Sequence, residues 1–175
     1  CGTSHRRWEE TLSRALLLMV VLSLSAPCVL AHSPVAPGPC AASETVYFAC
    51  MTARGKWVGL CGNAPRSLQY RFGKVGEPEF RYPEDPAEGV GGFSFAHYWR
   101  YQTDRLEIGF RNQGADYSIF DYTEERRRQA GVRVTTADGK ERTFSCKGKI
   151  VSRLAELKGF LRCDPDNALN GGQCP

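Results

Sequence analysis

The chain has 175 residues, of which 24% are charged, and its formal net charge is only +4. This mild charge excludes the strongly basic composition typical of nucleic-acid binding, so we expect no nucleic-acid partner. With 42% hydrophobic residues, the chain is large and apolar enough to bury the core of one ordinary domain.

Residues 1–31 are predicted to be a leader. The chain starts at Cys1 rather than at methionine, which indicates a fragmentary or misplaced start before the signal peptide. Residues 15–24 form a short apolar run after Arg14, and Val29-Leu30-Ala31 ends with the small-residue pattern that signal peptidase cleaves. We therefore predict a periplasmic or secreted protein. No later apolar run approaches the roughly 20 residues that span a bilayer, so we expect no membrane span after cleavage.

Six cysteines follow the predicted cleavage site, and an even set in an exported chain predicts a framework of disulfides. They are Cys40, Cys50, Cys61, Cys146, Cys163 and Cys174. The sequence has no Cys-x-x-Cys pair, so we predict neither a metal site nor a cofactor. Sequence alone leaves many pairings open.

Residues 32–44 are rich in proline and glycine and are predicted to form a flexible lead-in to a single domain over residues 45–175. Apolar and aromatic segments then recur between turns that contain glycine, a pattern typical of short antiparallel strands. The predicted strands cover residues 46–52, 56–62, 68–72, 79–82, 93–101, 105–111, 117–122, 132–136 and 142–146.

Two predicted hairpins can be placed in register. A two- or four-residue turn centred on Gly55-Lys56 makes Cys50 face Cys61, which favours a disulfide between them. At Asp138-Gly139, an odd loop with a glycine bulge keeps the even-numbered apolar residues of both strands on one face, so we favour the bulged turn.

The last element differs from the strands. Ile150, Leu154, Leu157 and Leu161 recur at helical spacing, which predicts one amphipathic helix over residues 149–161. A Cys146–Cys163 disulfide would span this helix, and Cys40–Cys174 follows by elimination. The predicted fold is mainly β: an antiparallel meander forming a small sandwich or open barrel, with one C-terminal helix.

Aromatic and arginine side chains, which are common at protein–protein hot spots, interleave along the predicted strands. The residues we predict to bind a partner are Tyr98, Trp99, Arg100, Tyr101, Glu84 and Asp85. No Gly-x-Ser-x-Gly motif occurs, and only His97 could complete a Ser–His–Asp set. We therefore assign no catalytic residue and expect His97 to be an ordinary strand residue.

One segment resembles a known family. Residues 47–62, YFACMTARGKWVGLCG, and residues 68–73, LQYRFG, are similar to small exported proteins of Gram-negative bacteria, in which a Cys-x-Thr…Gly-Lys…Cys hairpin leads into a Tyr-Arg-Phe/Tyr-Gly strand. Cys163-Asp164 also fits that pattern, whereas Cys40 and Cys174 are not part of it. The family is uncharacterised, so the resemblance implies export and a β-rich fold and carries over no site residue.

These observations favour an exported, non-enzymatic binding protein that acts on a protein partner, in the manner of an inhibitor or an immunity protein. Two alternatives stay open. One is a cell-wall or glycan hydrolase that uses a pair of the chain's carboxylates. The other is a structural component of the cell envelope that associates through its sheet edges.

Overall fold

The computed structural model describes residues 38–174. The predicted signal peptide, its cleavage site and the start of the lead-in lie outside these residues. No helix within the described part is long and apolar enough to cross a membrane.

The described chain forms one curled, half-barrel sheet of ten strands. The strands are β1 (Thr45–Thr52), β2 (Trp57–Asn63), β3 (Ser67–Gly73), β4 (Pro78–Tyr82), β5 (Phe93–Arg100), β6 (Thr103–Asn112), β7 (Ala115–Glu124), β8 (Arg127–Thr135), β9 (Glu141–Ser152) and β10 (Arg162–Cys163). Their order is β10-β5-β6-β7-β8-β9-β1-β2-β3-β4. Every pair is antiparallel except β10 with β5. The mainly β prediction is therefore confirmed, as is the series of hairpins.

The hairpin between β8 and β9 has the predicted bulged turn. Thr135 pairs with Glu141 and Val132 with Phe144, so even-numbered residues face each other. The loop is closed by a hydrogen bond from the Thr136 N–H to the carbonyl of Lys140. Gly139 has φ +76, which is the left-handed conformation that a glycine bulge needs.

The hairpin between β1 and β2 exists, but its predicted register is wrong. The Thr52 N–H donates to the Lys56 carbonyl, which encloses a three-residue loop in place of the predicted two- or four-residue turn. Cys50 therefore pairs with Val58, and Cys61 lies opposite Val46 at the far end of the hairpin. The change from an even to an odd loop moves the two cysteines out of reach of each other.

All six cysteines within residues 38–174 form disulfides, but the predicted pairings Cys50–Cys61, Cys146–Cys163 and Cys40–Cys174 are wrong. The structure joins Cys40 to Cys61, Cys50 to Cys146 and Cys163 to Cys174, with Cα–Cα distances of 5.4, 5.6 and 5.7 Å. The central disulfide forms because β9 pairs with β1. Sequence spacing contains no sign of that pairing, since the two cysteines are 96 residues apart.

The predicted C-terminal helix is also wrong: residues 38–174 contain no α-helix, only three short 3-10 helices. Strand β9 continues to Ser152, with Ile150 paired to Cys50. A 3-10 helix, Leu154–Leu157, follows, and Leu154 and Leu157 are buried. The helical spacing therefore arose because apolar residues of a strand end, a tight helix and a loop all face one core.

A stack of four aromatic rings packs the edge strand β4 against β6 and β7. In order they are Tyr82, Phe110, Tyr117 and Phe80, with successive ring centroids 4.4, 4.7 and 5.2 Å apart and interplanar angles of 10°, 8° and 9°. Rings from β4 form both ends of this stack, while β6 and β7 supply the middle pair. Offset aromatic pairs stabilise a structure beyond the area they bury, so the stack holds the curled sheet in its half-barrel form.

Candidate binding surface

The β5–β6 hairpin carries aromatic rings beyond the protein core. Phe93, at the start of β5, is fully buried and packs in the core. Toward the turn the strand leaves the core, and Trp99 and Tyr101 are 72% and 84% exposed. Large apolar side chains as exposed as these stand out on a surface when they occur together. We call residues 98–101 the hairpin tip.

Side chains alternate along β5, so the predicted binding residues of the tip divide between two faces of the hairpin. The Arg100 guanidinium lies 5.9 Å from the centroid of the Tyr98 ring, and Arg105 lies 5.7 Å from that of Tyr122. Trp99 projects from the other face. The tip therefore offers a cationic and aromatic patch on one side and an exposed indole on the other.

Polar contacts fix the hairpin just below its tip. The His97 ring nitrogen Nε2 lies 2.8 Å from Asp104 Oδ1 on the paired strand. The Asn170 Oδ1 atom accepts the His97 N–H at 3.1 Å, and the Glu125 N–H donates to the Gln102 carbonyl at 3.0 Å. These contacts tie the tip to the C-terminal segment and to the next hairpin. A surface held in place in this way loses little conformational entropy when a partner binds.

The two acidic residues predicted to share this site lie elsewhere. Asp85 accepts the Ala87 N–H at 2.8 Å and caps a 3-10 helix in the loop before β5. The carbonyl of Glu84 accepts from Gln69 Nε2 at 3.1 Å. The loop that contains Glu84 and Asp85 leads into the start of β5, whereas the hairpin tip lies at the end of β5. The full length of the strand, roughly 25 Å for eight residues, therefore separates the two acidic residues from the tip. The structure does not bring Glu84 and Asp85 to the aromatic residues.

The outer face of the sheet carries a buried carboxylate, Glu107, whose burial the sequence does not predict. Glu107 is only 5% exposed, although strand alternation places it on the polar face of β6. It accepts hydrogen bonds from the Tyr122 hydroxyl, from Asn167 Nδ2 at 2.7 Å and from Arg133 Nη1 at 3.4 Å. Burial and the bond to Glu107 raise the pKa of Tyr122 to about 12. Asn167 is 60 residues away in the chain, so no local signal marks this cluster.

Glu124, a carboxylate that lines the same groove as Glu107, does not have the properties of a general acid. The Arg105 guanidinium donates to Glu124 at 2.6 Å and holds the pKa of that carboxyl below its usual range. Glycoside hydrolysis needs one carboxyl group whose pKa is raised. The hydrolase alternative therefore gains no support from Glu124. Within residues 38–174, no cluster of three or more potential metal ligands occurs.

A cleft lies at the end of the half-barrel opposite the hairpin tip. It has a volume of about 680 Å³ and is lined mainly by rings from β3, β4, β7 and β9. The rings are those of Tyr70, Phe72, Phe80, Tyr117 and Phe144. The aromatic pattern of the strands does not indicate in the sequence that these five rings share one site, because only the curl of the sheet brings the four strands around one space.

Comparison of this chain with known proteins found no match. No protein-family model, no curated protein and no solved structure matches this chain.

Proposed function

We propose that this is an exported, non-enzymatic binding protein that docks on a protein partner through the hairpin tip, as an inhibitor or immunity-type protein does. The observation that carries the proposal is the exposure of Trp99 and Tyr101, at 72% and 84%, on a hairpin fixed by hydrogen bonds. Tryptophan, tyrosine and arginine are the residue types most enriched at binding hot spots, and the tip contains all three.

Burial of the exposed Trp99 and Tyr101 rings would favour binding. An exposed indole or phenol ring keeps apolar area hydrated, and covering that area contributes about 25 cal/mol per Å². Trp99 and Tyr101 have few rotatable bonds, so a partner orders them at a low entropic cost. Because the tip projects from the core, it can enter a cleft on the partner without any change in the sheet.

Three disulfides fit a compartment outside the reducing cytosol. We place the protein in the periplasm or the extracellular medium, in line with the predicted signal peptide. We likewise propose that it belongs with the small exported proteins of Gram-negative bacteria that its first hairpin resembles.

The test compares the hairpin tip with a control pair of exposed apolar residues elsewhere on the surface. The oxidised protein, the double variant Trp99→Ala/Tyr101→Ala and the control Val75→Ala/Phe160→Ala are immobilised, and envelope extract and culture fluid are passed over each. Val75 and Phe160 are 43% and 45% exposed and lie outside the tip. We expect one protein to be retained by the wild type and the control but not by the tip variant.

The captured protein is then purified and titrated calorimetrically. Loss of a hot-spot residue costs at least about 2 kcal/mol, so the tip variant should bind roughly 30-fold more weakly or worse. Equal binding by the tip variant and the wild type would contradict the proposal. Retention only of further copies of this chain, with concentration-dependent oligomers in sedimentation, would favour a structural envelope component.

A further inference from the structure

The cleft at the end of the half-barrel has the construction of a small-molecule site. Its volume of about 680 Å³ lies within the usual range for ligand pockets. Phe72 and Phe144 meet edge to face at 5.2 Å between ring centroids, joining the walls formed by β3 and β9. Phe80 and Tyr117 stack at an angle of 9° at the end of the aromatic stack. Flat, rigid rings from four strands therefore line the cleft.

Two phenol groups add polarity to this apolar space. Tyr70 is almost fully buried, and Tyr117 is half-buried beside it, with 6.3 Å between their ring centroids. Burial raises the pKa of both phenols, so both stay neutral and can donate a hydrogen bond. Neither hydroxyl has a hydrogen-bonding partner among residues 38–174. A purely aliphatic ligand would bury the two tyrosine hydroxyls without a hydrogen-bonding partner, and this would weaken its binding.

The rim of the cleft carries one cation that lacks a counterion in the described chain. Arg142 pairs with Val134 across the β8–β9 ladder, and cross-strand partners share a face, so it belongs to the concave side. The neighbouring charges are already paired: Lys140 with Asp138 at 2.6 Å, and Glu141 with Arg133 at 3.6 Å. Among residues 38–174, no carboxylate forms an ion pair with Arg142. Its guanidinium is therefore available for an anionic group of a ligand.

We propose that this cleft binds an aromatic anion, a flat ring system that carries a carboxylate for Arg142 and a polar ring substituent for the tyrosine hydroxyls. The rings of Phe72, Phe80 and Phe144 contact the ligand's faces and edges. Lys140 and Glu141 also line the cleft, but each is paired with another charged residue, so in the described chain Arg142 supplies the unpaired charge at the mouth. An apolar body, phenol groups inside and this one guanidinium select an aromatic anion over a fatty acid or a neutral ring. The site is separate from the hairpin tip and does not depend on the proposed protein partner.

The test uses two probes with the same aromatic body, 6-hydroxy-2-naphthoate and its neutral methyl ester, titrated into the full protein by calorimetry. We expect saturable binding at one site, with the acid bound about tenfold more tightly than the ester because of the charge-assisted bond to Arg142. Arg142→Met should abolish this preference. The matched control Arg111→Met should keep it, because Arg111 is exposed, is paired with Asp116, and by strand alternation lies on the opposite face of the sheet from the buried Phe110.

Aromatic proton NMR locates the probe, since the resonances of Phe80 and Phe144 should shift during the titration. Near-ultraviolet circular dichroism checks that each variant keeps its fold. The proposal is wrong if no saturable binding occurs, if acid and ester bind equally well to the wild type, or if Arg111→Met has the effect expected of Arg142→Met. Tighter binding of dodecanoate than of the naphthoate would also overturn it, in favour of an aliphatic ligand.

Discussion

Removal of the central disulfide should destabilise the protein more than removal of either of the other two. The perturbation is the double substitution Cys50→Ala/Cys146→Ala, which leaves no free thiol behind at this position. Cys50 is fully buried on β1, and the bond joins β1 to β9 in the middle of the sheet. The disulfide therefore connects the two halves of the half-barrel, β1–β4 and β5–β10.

The expected size follows from the length of chain that each disulfide closes. In the chain-entropy model, a cross-link between residues 96 apart stabilises the folded state by about 4.7 kcal/mol. The Cys163–Cys174 bond closes only 11 residues, and the same relation gives about 2.8 kcal/mol. Cys40–Cys61, at a separation of 21, comes between them at about 3.3 kcal/mol. The order of the three losses follows from the length of chain that each disulfide closes.

The assay is equilibrium unfolding in urea of the wild type and of the three double-alanine variants, followed by circular dichroism and tryptophan fluorescence. Coincidence of the two signals checks that unfolding is two-state. The reasoning would be refuted if the Cys163–Cys174 variant lost as much free energy of unfolding as the Cys50–Cys146 variant. Such a result would mean that contacts of the C-terminal segment, rather than loop entropy, determine what a disulfide contributes.

Two further predictions concern a turn and a pH dependence. Glu125 and Arg126 have φ +45 and +71 in the two-residue turn between β7 and β8, so Glu125→Asn/Arg126→Gly should stabilise the protein by about 1 kcal/mol in urea unfolding; an unchanged or lower stability would contradict this. Burial by itself would raise the pKa of Glu44, but hydrogen bonds from Arg71 at 2.6 and 2.7 Å help to hold it below its usual 4.5. The stability that this pair contributes is therefore complete above the unfolded-state pKa and is lost as pH falls through the lower folded-state value. Glu44→Gln should lower stability at pH 7 by about 1–3 kcal/mol and make it less sensitive to acid; an unchanged acid dependence would show that Glu44 is not the group responsible.

Much of the strand pattern could be predicted from the sequence because its causes are local. In β6, Leu106, Ile108 and Phe110 alternate with charged residues or glycine, and all three are buried as the alternation requires. The bulged turn at Gly139 was predictable for the same reason, since loop parity and a glycine with positive φ are properties of a few adjacent residues. An even cysteine set after a leader likewise predicts disulfides without any knowledge of the fold.

The candidate sites were only partly predictable. The aromatic character of the hairpin tip can be read from the sequence, but the exposure of Trp99 depends on where the core ends. The cleft around Tyr70 and the burial of Glu107 depend on strands and loops far apart in the chain. Their residues have no distinctive spacing, because the curl of the sheet and the fold of the C-terminal segment bring them together.

The sequence by itself determined the class of element and the chemistry available: strands, turns, cysteines that oxidise, and a surplus of aromatic and arginine side chains. Only the tertiary structure decided the disulfide partners, because β9 pairs with β1 across most of the domain. It also decided that Ile150, Leu154 and Leu157 do not share one amphipathic α-helix: Ile150 lies near the end of a strand, and the two leucines lie in a 3-10 helix. Three apolar residues can meet one core from a strand end and a tight turn as well as from one face of a helix, and long-range packing selects between these arrangements.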